Sequence, residues 1–468
     1  MSTRLIATAL AAVIVAGCTA GSNYNRPAIT PPTMFRGGEV APADLKSMAD
    51  LKWFEVFKDE RLQEMIRTAL VHNHDLRDAV VRVEAARANL GITRADQFPT
   101  VEASASATTV RSSSTGAFPL PEGVSTKRTF GTVAVSLLSF EIDVWGRLRR
   151  ATEAARADLL ATEEFQKAVV TTLVSDVAGA YFNLLELDAE LEIAKRTLQL
   201  REESLEIIRS RERGGVATLL ELRQGEQLVH AAAQVIPEVE QLIEQTENQI
   251  SLLLGANPAA VTRGRTLTEQ EQPPIVPAGL PSELLDRRPD IVAAEQNLVA
   301  SNAIVGVAKT AYFPRISLTS FFGAQSDQLS SLFSGPAKVW QFVPQVTQPI
   351  FNGGRLRSNV RLAEAQRQLA LIQYERVIQT AFREVSDGLV QYQKEREVRA
   401  AQEQLVATLQ DRSRLSYVRY RGGIDTLLNA LDADRDLFEA ELRLVQTKRN
   451  ELLALVQLYR ALGGGWQQ

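Results

Sequence analysis

The sequence predicts a mainly α-helical protein with a membrane-embedded β part, built twice within one chain. Residues 147–212 contain no proline and one glycine, Gly179, which favours a single continuous helix. At 1.5 Å per residue that helix would be roughly 100 Å long. Two pairs of segments alternate apolar and polar residues, which is typical of half-buried strands. The whole pattern then recurs about 208 residues later, which indicates an internal duplication.

The long helix carries a heptad seam on one face. Apolar or small residues recur at alternating steps of four and three, with one break at Arg201. They are Leu173, Val177, Ala180, Leu184, Leu187, Leu191, Ala194, Leu198, Leu205 and Ile208. The last helix has the same spacing at Leu431, Phe438, Val445, Leu452 and Tyr459. A sustained seven-residue repeat predicts left-handed supercoiling of neighbouring helices.

Matching local sequences support the duplication. The Gly-Arg-Leu-Arg at 146–149 returns at 354–357, and the Arg-Gly-Gly at 213–215 returns at 421–423, both at an offset of 208. Glycine suits the left-handed position that ends a helix, so 213–215 and 421–423 are predicted as hairpin turns. Each half then reads as short helix, strand, loop, strand, long helix, turn and medium helix.

These patterns predict the domain organisation. A signal peptide at 1–17 is followed by a lipidated tether at 18–58 and a first repeat at 59–258. The first repeat has strands at 99–108 and 129–140 and turns at 213–215. A linker at 259–288 leads to a second repeat at 289–463, with strands at 314–322 and 339–350 and a turn at 421–423, and to a tail at 464–468.

Four strands of about ten residues match the length that crosses an outer membrane. They cannot close a barrel alone, and open edges in lipid leave costly unpaired backbone groups. Two chains would give eight strands and no aqueous lumen. Three chains give twelve strands and twelve helical rods, one per strand, which we favour, although four chains stay open. The alternative is that these four segments are ordinary amphipathic strands of a soluble domain.

The N-terminus has the pattern of an exported lipoprotein. Arg4 precedes an apolar run at 5–16 that is too short to span a membrane, and small residues precede Cys18. This arrangement resembles the bacterial lipobox, in which the cysteine receives a lipid. Thr19 rather than aspartate follows, which in such lipoproteins implies the outer membrane. The alternative is ordinary signal cleavage beside a bystander cysteine. After residue 18 the sequence contains no run of 18 or more apolar residues, so no transmembrane helix is predicted.

Composition argues against several functions. The net charge is −4 without a basic block, so no nucleic-acid binding is expected. One cysteine and three histidines predict neither a disulfide nor a metal site. No phosphate-binding loop or ligand-spaced histidine pair is present in the sequence, so we predict no enzyme and no cofactor.

Several motifs together resemble a known family. Phe-Pro precedes one strand of each half, Gly-Arg-Leu-Arg begins each long helix, and residues 419–423 and 458–466 read RYRGG and LYRALGGGW. In this order they look like the TolC/OprM outer-membrane efflux factors of the lipoprotein, NodT-like type. The resemblance implies a homotrimer with a twelve-stranded β-barrel in the outer membrane and a helical barrel in the periplasm. It also implies a periplasmic adaptor and an inner-membrane RND-type transporter as partners.

The hairpin turns are the candidate functional site of such a channel. Asp425 follows the second turn, and its counterpart in the first half is Ala217. In a trimer three Asp425 carboxylates would form a ring, and acidic rings bind cations. Neighbouring side chains that could latch a closed state are Tyr417, Arg419, Tyr420 and Arg421. The alternative is that these charges are simply solvated.

The turns are also the predicted docking surface for the adaptor, through Gly214, Gly215, Gly422 and Gly423. We predict a passive exit duct for drugs and other small toxic compounds. The alternatives are the same architecture used for protein secretion or metal-ion export, and a periplasmic adaptor lipoprotein. Four methionines and three histidines give little support for metal export.

Overall fold

The computed structural model describes residues 19–37, 47–113, 123, 125–270 and 281–466. The predicted signal peptide at 1–17 and the candidate lipid site Cys18 lie outside these residues. The described helices are α1 Trp53–Val56, α2 Glu60–His72, α3 His74–Ala95, α4 Arg147–Arg213, α5 Leu219–Leu253, α6 Pro281–Arg287, α7 Pro289–Thr310, α8 Arg355–Arg421 and α9 Leu427–Ala461. The described strands are β1 Thr100–Arg111, β2 Lys127–Glu141, β3 Arg315–Ser326 and β4 Lys338–Thr347.

The chain forms two compact units, and each draws on both halves of the duplication. The described residues of the first unit fall within Met1–Pro27, Glu84–Ala161 and Ala294–Tyr374. Those of the second fall within Ala28–Val83, Thr162–Ala293 and Glu375–Gln468. The units therefore do not coincide with the predicted repeats. In the first unit the reason is that strands from both halves pair in one sheet.

The four strands of the first unit form one antiparallel sheet in chain order. β2 joins β3 across the two halves, with Val135 opposite Phe322. Within the described residues β1 pairs only with β2, and β4 only with β3, so the sheet has two open edges. An open edge presents unpaired N–H and C=O groups that another strand can use.

Adjacent rows across this sheet have opposite character. One row consists of Ala103, Val135, Phe322 and Trp340. The next row, which alternation places on the opposite face, consists of Glu102, Ser136, Phe321 and Gln341. Trp340 is 75% exposed and Phe322 64% exposed. A face with such large exposed aromatic side chains is suited to an apolar surrounding. The opposite face is mainly polar but also carries apolar residues such as Phe321, Val339 and Val343.

The long and medium helices of the two halves have equal lengths. α4 and α8 each have 67 residues, and α5 and α9 each have 35. Most residues of the predicted seams are buried: Val177 and Leu184 on α4 and Tyr459 on α9 are at most 1% exposed, whereas Leu191 and Leu198 are half-buried. The seam residues therefore pack inside the second unit, as their spacing requires.

Two local features refine the helix predictions. Pro237 lies inside α5 without ending it.

The helices α4 and α7 each contain an 18-residue stretch apolar enough to cross a membrane by length and composition. In α4, 67% of that stretch is buried within the chain, so its apolar character is accounted for by packing.

The segment before the first repeat is more ordered than an extended tether. Residues 48–50 form a 3₁₀ turn and Trp53–Val56 form α1. Met48, Trp53 and Phe57 are at most 4% exposed. The proline- and glycine-rich composition that suggested a tether ends near residue 42, and the apolar residues beyond it join the core of the second unit.

Candidate functional site: the two hairpin turns

The two hairpin turns have the same backbone. Gly215 and Gly423 adopt φ values of +71° and +70°, the left-handed region that favours glycine. In the first turn the N–H of Val216 donates to the carbonyl of Arg211 at 2.9 Å, and in the second the N–H of Ile424 donates to Arg419 at 3.0 Å. These bonds satisfy carbonyls that the helix ends leave free.

The side chains that cap the returning helices differ. Thr218 begins α5 with a capping box, in which its hydroxyl accepts from the N–H of Glu221 at 3.2 Å and the Glu221 carboxylate accepts from the N–H of Thr218 at 2.6 Å. Thr426 makes no side-chain cap at the start of α9. At the second turn the neighbouring Asp425 accepts from the N–H of Thr426 itself, which precedes α9.

Asp425 is the centre of a local hydrogen-bond network. Its carboxylate accepts from the N–H of Thr426 at 2.9 Å and from Nδ2 of Asn429 at 2.6 Å. Nε of Arg419 donates to it at 3.2 Å. The Thr426 N–H, then Asn429 and Arg419, lower the pKa of Asp425 below its ordinary value. Asp425 is therefore held as an anion at the turn.

The other predicted latch residues do not join this network. Tyr420 is buried in a cluster that we call the tip cluster, and the Arg211 guanidinium lies 5.0 Å from its ring centre. Tyr417 packs against the same cluster. Burial raises the pKa of both phenols. Arg421 is exposed. The tip cluster consists of Leu205, Ile208, Leu222, Val229, Tyr420, Leu427, Ala430 and Leu431.

Arg201, which interrupts the heptad seam, is a functional candidate that the sequence reasoning missed. It is 5% exposed, and its Nε donates to Asp434 on α9 at 2.8 Å. Its Nη1 donates to the carbonyl of Leu228 on α5 at 3.0 Å, and its guanidinium lies over Phe438. One side chain thus joins three helices of the two hairpins. The break in the seam was the signal available in the sequence.

A second polar cluster joins α4 to α9. Nη1 of Arg449 lies 3.2 Å from the Glu186 carboxylate, and Nε2 of Gln446 donates to Glu190 at 2.8 Å. Burial, followed by the charge of Glu190, raises the pKa of Glu186 to about 7. No sequence pattern distinguished Glu186 from the solvated glutamates around it. Within the described residues, no group of three or more His, Cys, Asp and Glu side chains could hold a metal ion.

A sheet with one apolar face and two long helical hairpins define a class of membrane channel subunit. Residues 65–256 and 280–464 match the family described as outer membrane efflux protein. The chain belongs to this family, and it is an outer-membrane protein.

Individual relatives agree with this assignment. The chain is 37% identical to the probable efflux pump outer membrane protein TtgC of Pseudomonas putida, over 100% of this chain and 97% of that protein. It is 36% identical to the cation efflux system protein CusC of Escherichia coli, over 98% of each. The open state of the Neisseria gonorrhoeae MtrE outer membrane channel matches with a TM-score of 0.86 at 31% identity, covering 96% of this chain and 99% of that chain. The fold class predicted from the sequence is confirmed.

Proposed function

We propose that three copies of the chain form the outer-membrane exit duct of a tripartite efflux pump. The observation that carries this proposal is the four-stranded sheet with one apolar face and two open edges. In lipid each open edge would leave backbone groups unpaired at several kcal/mol each, so the sheet needs strands from other copies. Three copies supply twelve strands, and their polar faces would line the lumen.

The duct is passive, and its cargo is small toxic compounds delivered by an inner-membrane RND-type transporter through a periplasmic adaptor. The names of relatives such as TtgC support efflux as the role. The turns at Gly214, Gly215, Gly422 and Gly423 would be the adaptor surface. Glycines at a turn leave the backbone open to a partner, since a Cβ at Gly215 or Gly423 would meet nothing within 4 Å.

We further propose that Asp425 and Arg419 close the inner end of the duct. Their contact is exposed, with the Arg419 side chain 55% accessible. Exposed ion pairs contribute little stability individually, so a gate of this kind would yield when the adaptor docks. Tyr417 and Tyr420 would support the gate through the tip cluster, and Arg421 through its exposed charge.

Metal-ion export is the second candidate, because one relative is named as a cation efflux protein. Protein secretion and an adaptor role have no comparable support here. Deleting the gene and measuring growth inhibition separates the cargo classes. We expect greater sensitivity to several organic antimicrobials and unchanged sensitivity to a panel of metal salts. Sensitivity to the metal salts alone would favour the second candidate.

The channel itself is tested with purified protein. We expect a heat-modifiable trimer that conducts ions in planar bilayers. A soluble monomer without conductance would contradict the proposed duct and favour an adaptor lipoprotein.

A further inference from the structure

The apolar face of the sheet has two different ends. Where the strands connect to the helices, this face finishes with Val101, Ile316 and Val346. At the opposite end, where β1 and β3 finish and β2 and β4 begin, it finishes with three exposed basic side chains. We call these side chains the basic rim, and they are Arg111, Lys127 and Lys338.

The strand register places the basic rim on the apolar face. Arg111 lies directly opposite Lys127, which is an even number of residues from Val135 on β2. Lys338 is the first residue of β4, and Trp340 follows it on the same face. Because alternate residues of a strand share a face, all three cations lie on the side that carries the exposed aromatic residues.

Arg111 and Lys127 form a cross-strand pair of like charge. The Cβ atoms of directly opposite residues are about 5 Å apart, and like charges at that separation destabilise a sheet. Arg128 adds a further cation beside them, on the opposite face. Among the described residues at this end of the sheet, the one acidic side chain is Asp327, so the positive charge is not balanced. A bound anion would remove the repulsion between Arg111 and Lys127.

The loop after β3 adds apolar side chains next to the basic rim. A Cβ on Gly131, which belongs to the apolar face, would lie 3.9 Å from Cδ2 of Leu329. Ser326 is opposite Gly131 in the sheet, and its Oγ lies 2.6 Å from Oγ of Ser331. The loop therefore folds over the apolar face. Leu329 and Phe333 in this loop are both 82% exposed.

The order of side chains from the rim inward matches an anionic lipid interface. On β4 the apolar face runs from Lys338 to the exposed Trp340 and Phe342. Tryptophan is enriched where a membrane meets water, and lysine and arginine are attracted to negatively charged headgroups. In the proposed duct the helices lie in the periplasm, so the basic rim is at the outer leaflet. In outer membranes this leaflet presents a glycolipid whose anionic groups are phosphates.

We propose that the basic rim binds the phosphate groups of an outer-leaflet glycolipid, and that Leu329 and Phe333 contact its acyl chains. The inference rests on the proposed duct. β1 and β4 are the open edges of the sheet, so closing the barrel brings Lys338 of one copy beside the Arg111–Lys127 pair of the next. The site is complete only in the oligomer, where each junction between copies holds one glycolipid by charge-assisted hydrogen bonds.

Native mass spectrometry of the full chain, purified as the oligomer in detergent, tests this site with lipid A as the probe. Phosphorylated and dephosphorylated lipid A are titrated separately. One cation beside an anionic lipid gives about a fivefold gain in affinity, so three cations should make the phosphorylated form bind about 100-fold more tightly. We expect up to one lipid for each copy of the chain, and millimolar inorganic phosphate should not displace it.

Substitutions at the two faces of the same sheet end provide the control. The triple variant Arg111→Gln, Lys127→Gln, Lys338→Gln should lose the preference for phosphorylated lipid A while remaining a heat-modifiable trimer, because the three side chains are exposed. Arg128→Gln removes a cation from the opposite face and should bind like the parent. Lys127→Arg keeps the charge and should also bind like the parent.

The apolar part of the site has its own variant. Leu329→Ser combined with Phe333→Ser should weaken both forms of lipid A equally, because these side chains contact acyl chains rather than phosphates. A triple variant that keeps the preference for the phosphorylated form would overturn the inference, as would equal losses in the triple variant and in Arg128→Gln. Displacement by inorganic phosphate would replace the glycolipid site with a site for free anions.

Conductance separates this inference from the proposed duct. The basic rim lies on the outer face of the barrel, so the triple variant should conduct like the parent. A conducting trimer that binds both forms of lipid A equally would refute only the glycolipid site. An oligomer that prefers phosphorylated lipid A through the basic rim but does not conduct would support the site and refute the duct.

Discussion

The two hairpins share a backbone but differ in the charges that face their neighbours. α4 and α8 have the same length and end in turns of nearly identical φ. Yet Arg201 is buried on α4, whereas its counterpart 208 residues later is the apolar, half-buried Leu409. Likewise Glu186 is buried, and its counterpart Lys394 is exposed and pairs with Glu397 at 2.8 Å.

This difference teaches where the duplicated halves have separate roles. Turn geometry and helix length are set by backbone requirements that both halves share. Side chains differ where α4 meets α9. One hairpin packs against the other there, so the contacting residues of the two copies must be complementary rather than identical. We expect the polar contacts at this joint to favour the pairing of these two hairpins with each other.

The largest expected effect on stability follows from replacing Arg201 with the leucine that the second half has at the equivalent position. Arg201→Leu introduces the residue of the second half and leaves Asp434 without its arginine. Removing one partner of a buried ion pair costs about 3–5 kcal/mol. We expect this loss in the free energy of unfolding, measured by urea denaturation of the detergent-solubilised protein.

A matched variant and a rescue sharpen this test. Arg196→Leu breaks the Arg196–Glu441 pair, in which Arg196 is 51% accessible, and should cost no more than about 1 kcal/mol. Replacing both Arg201 and Asp434 with leucine should recover most of the stability. Equal effects of the two single substitutions would show that Arg201 does not join the hairpins.

The next effect concerns pH and Glu186. Its pKa of about 7 is raised by burial above its ordinary value, so between about pH 4.5 and 7 the folded protein binds more protons than the unfolded one. Stability should then fall as pH rises through this window and level off above it. Glu186→Gln should remove this dependence, as measured by thermal unfolding at several pH values, whereas Lys394→Gln should leave it. An unchanged pH profile in Glu186→Gln would assign the dependence to another group.

A smaller and symmetric effect is expected at the turns. Gly215→Ala and Gly423→Ala each place a Cβ in the left-handed region, at about 1–2 kcal/mol. Because both turns have the same φ and open space around the Cβ, the two variants should be destabilised equally in thermal unfolding. Unequal losses would mean that one turn is strained by its surroundings.

The sequence predicted the shared features of the halves better than their differences. Glycine pairs, heptad seams and period-two alternation are local signals, and they identified the turns, long helices and strands close to their observed bounds. The ion-pair partners of Arg201 and Glu186 lie more than 200 residues away on α9, and no local pattern indicates such contacts. The burial of Tyr420 was missed for the same reason, since the tip cluster draws on both hairpins.

The last substitution tests the proposed gate at Asp425. Asp425→Ala introduces the Ala217 of the first half, removes the contact with Arg419 and should raise the ion conductance of the trimer in planar bilayers. Because hydrogen bonds lower the pKa of Asp425, the parent should keep its low conductance on acidification until the pH falls below the ordinary aspartate range. Asn429→Ala removes one hydrogen bond but keeps the charge, and it should conduct like the parent. Conductance unchanged in Asp425→Ala would exclude this carboxylate from the gate.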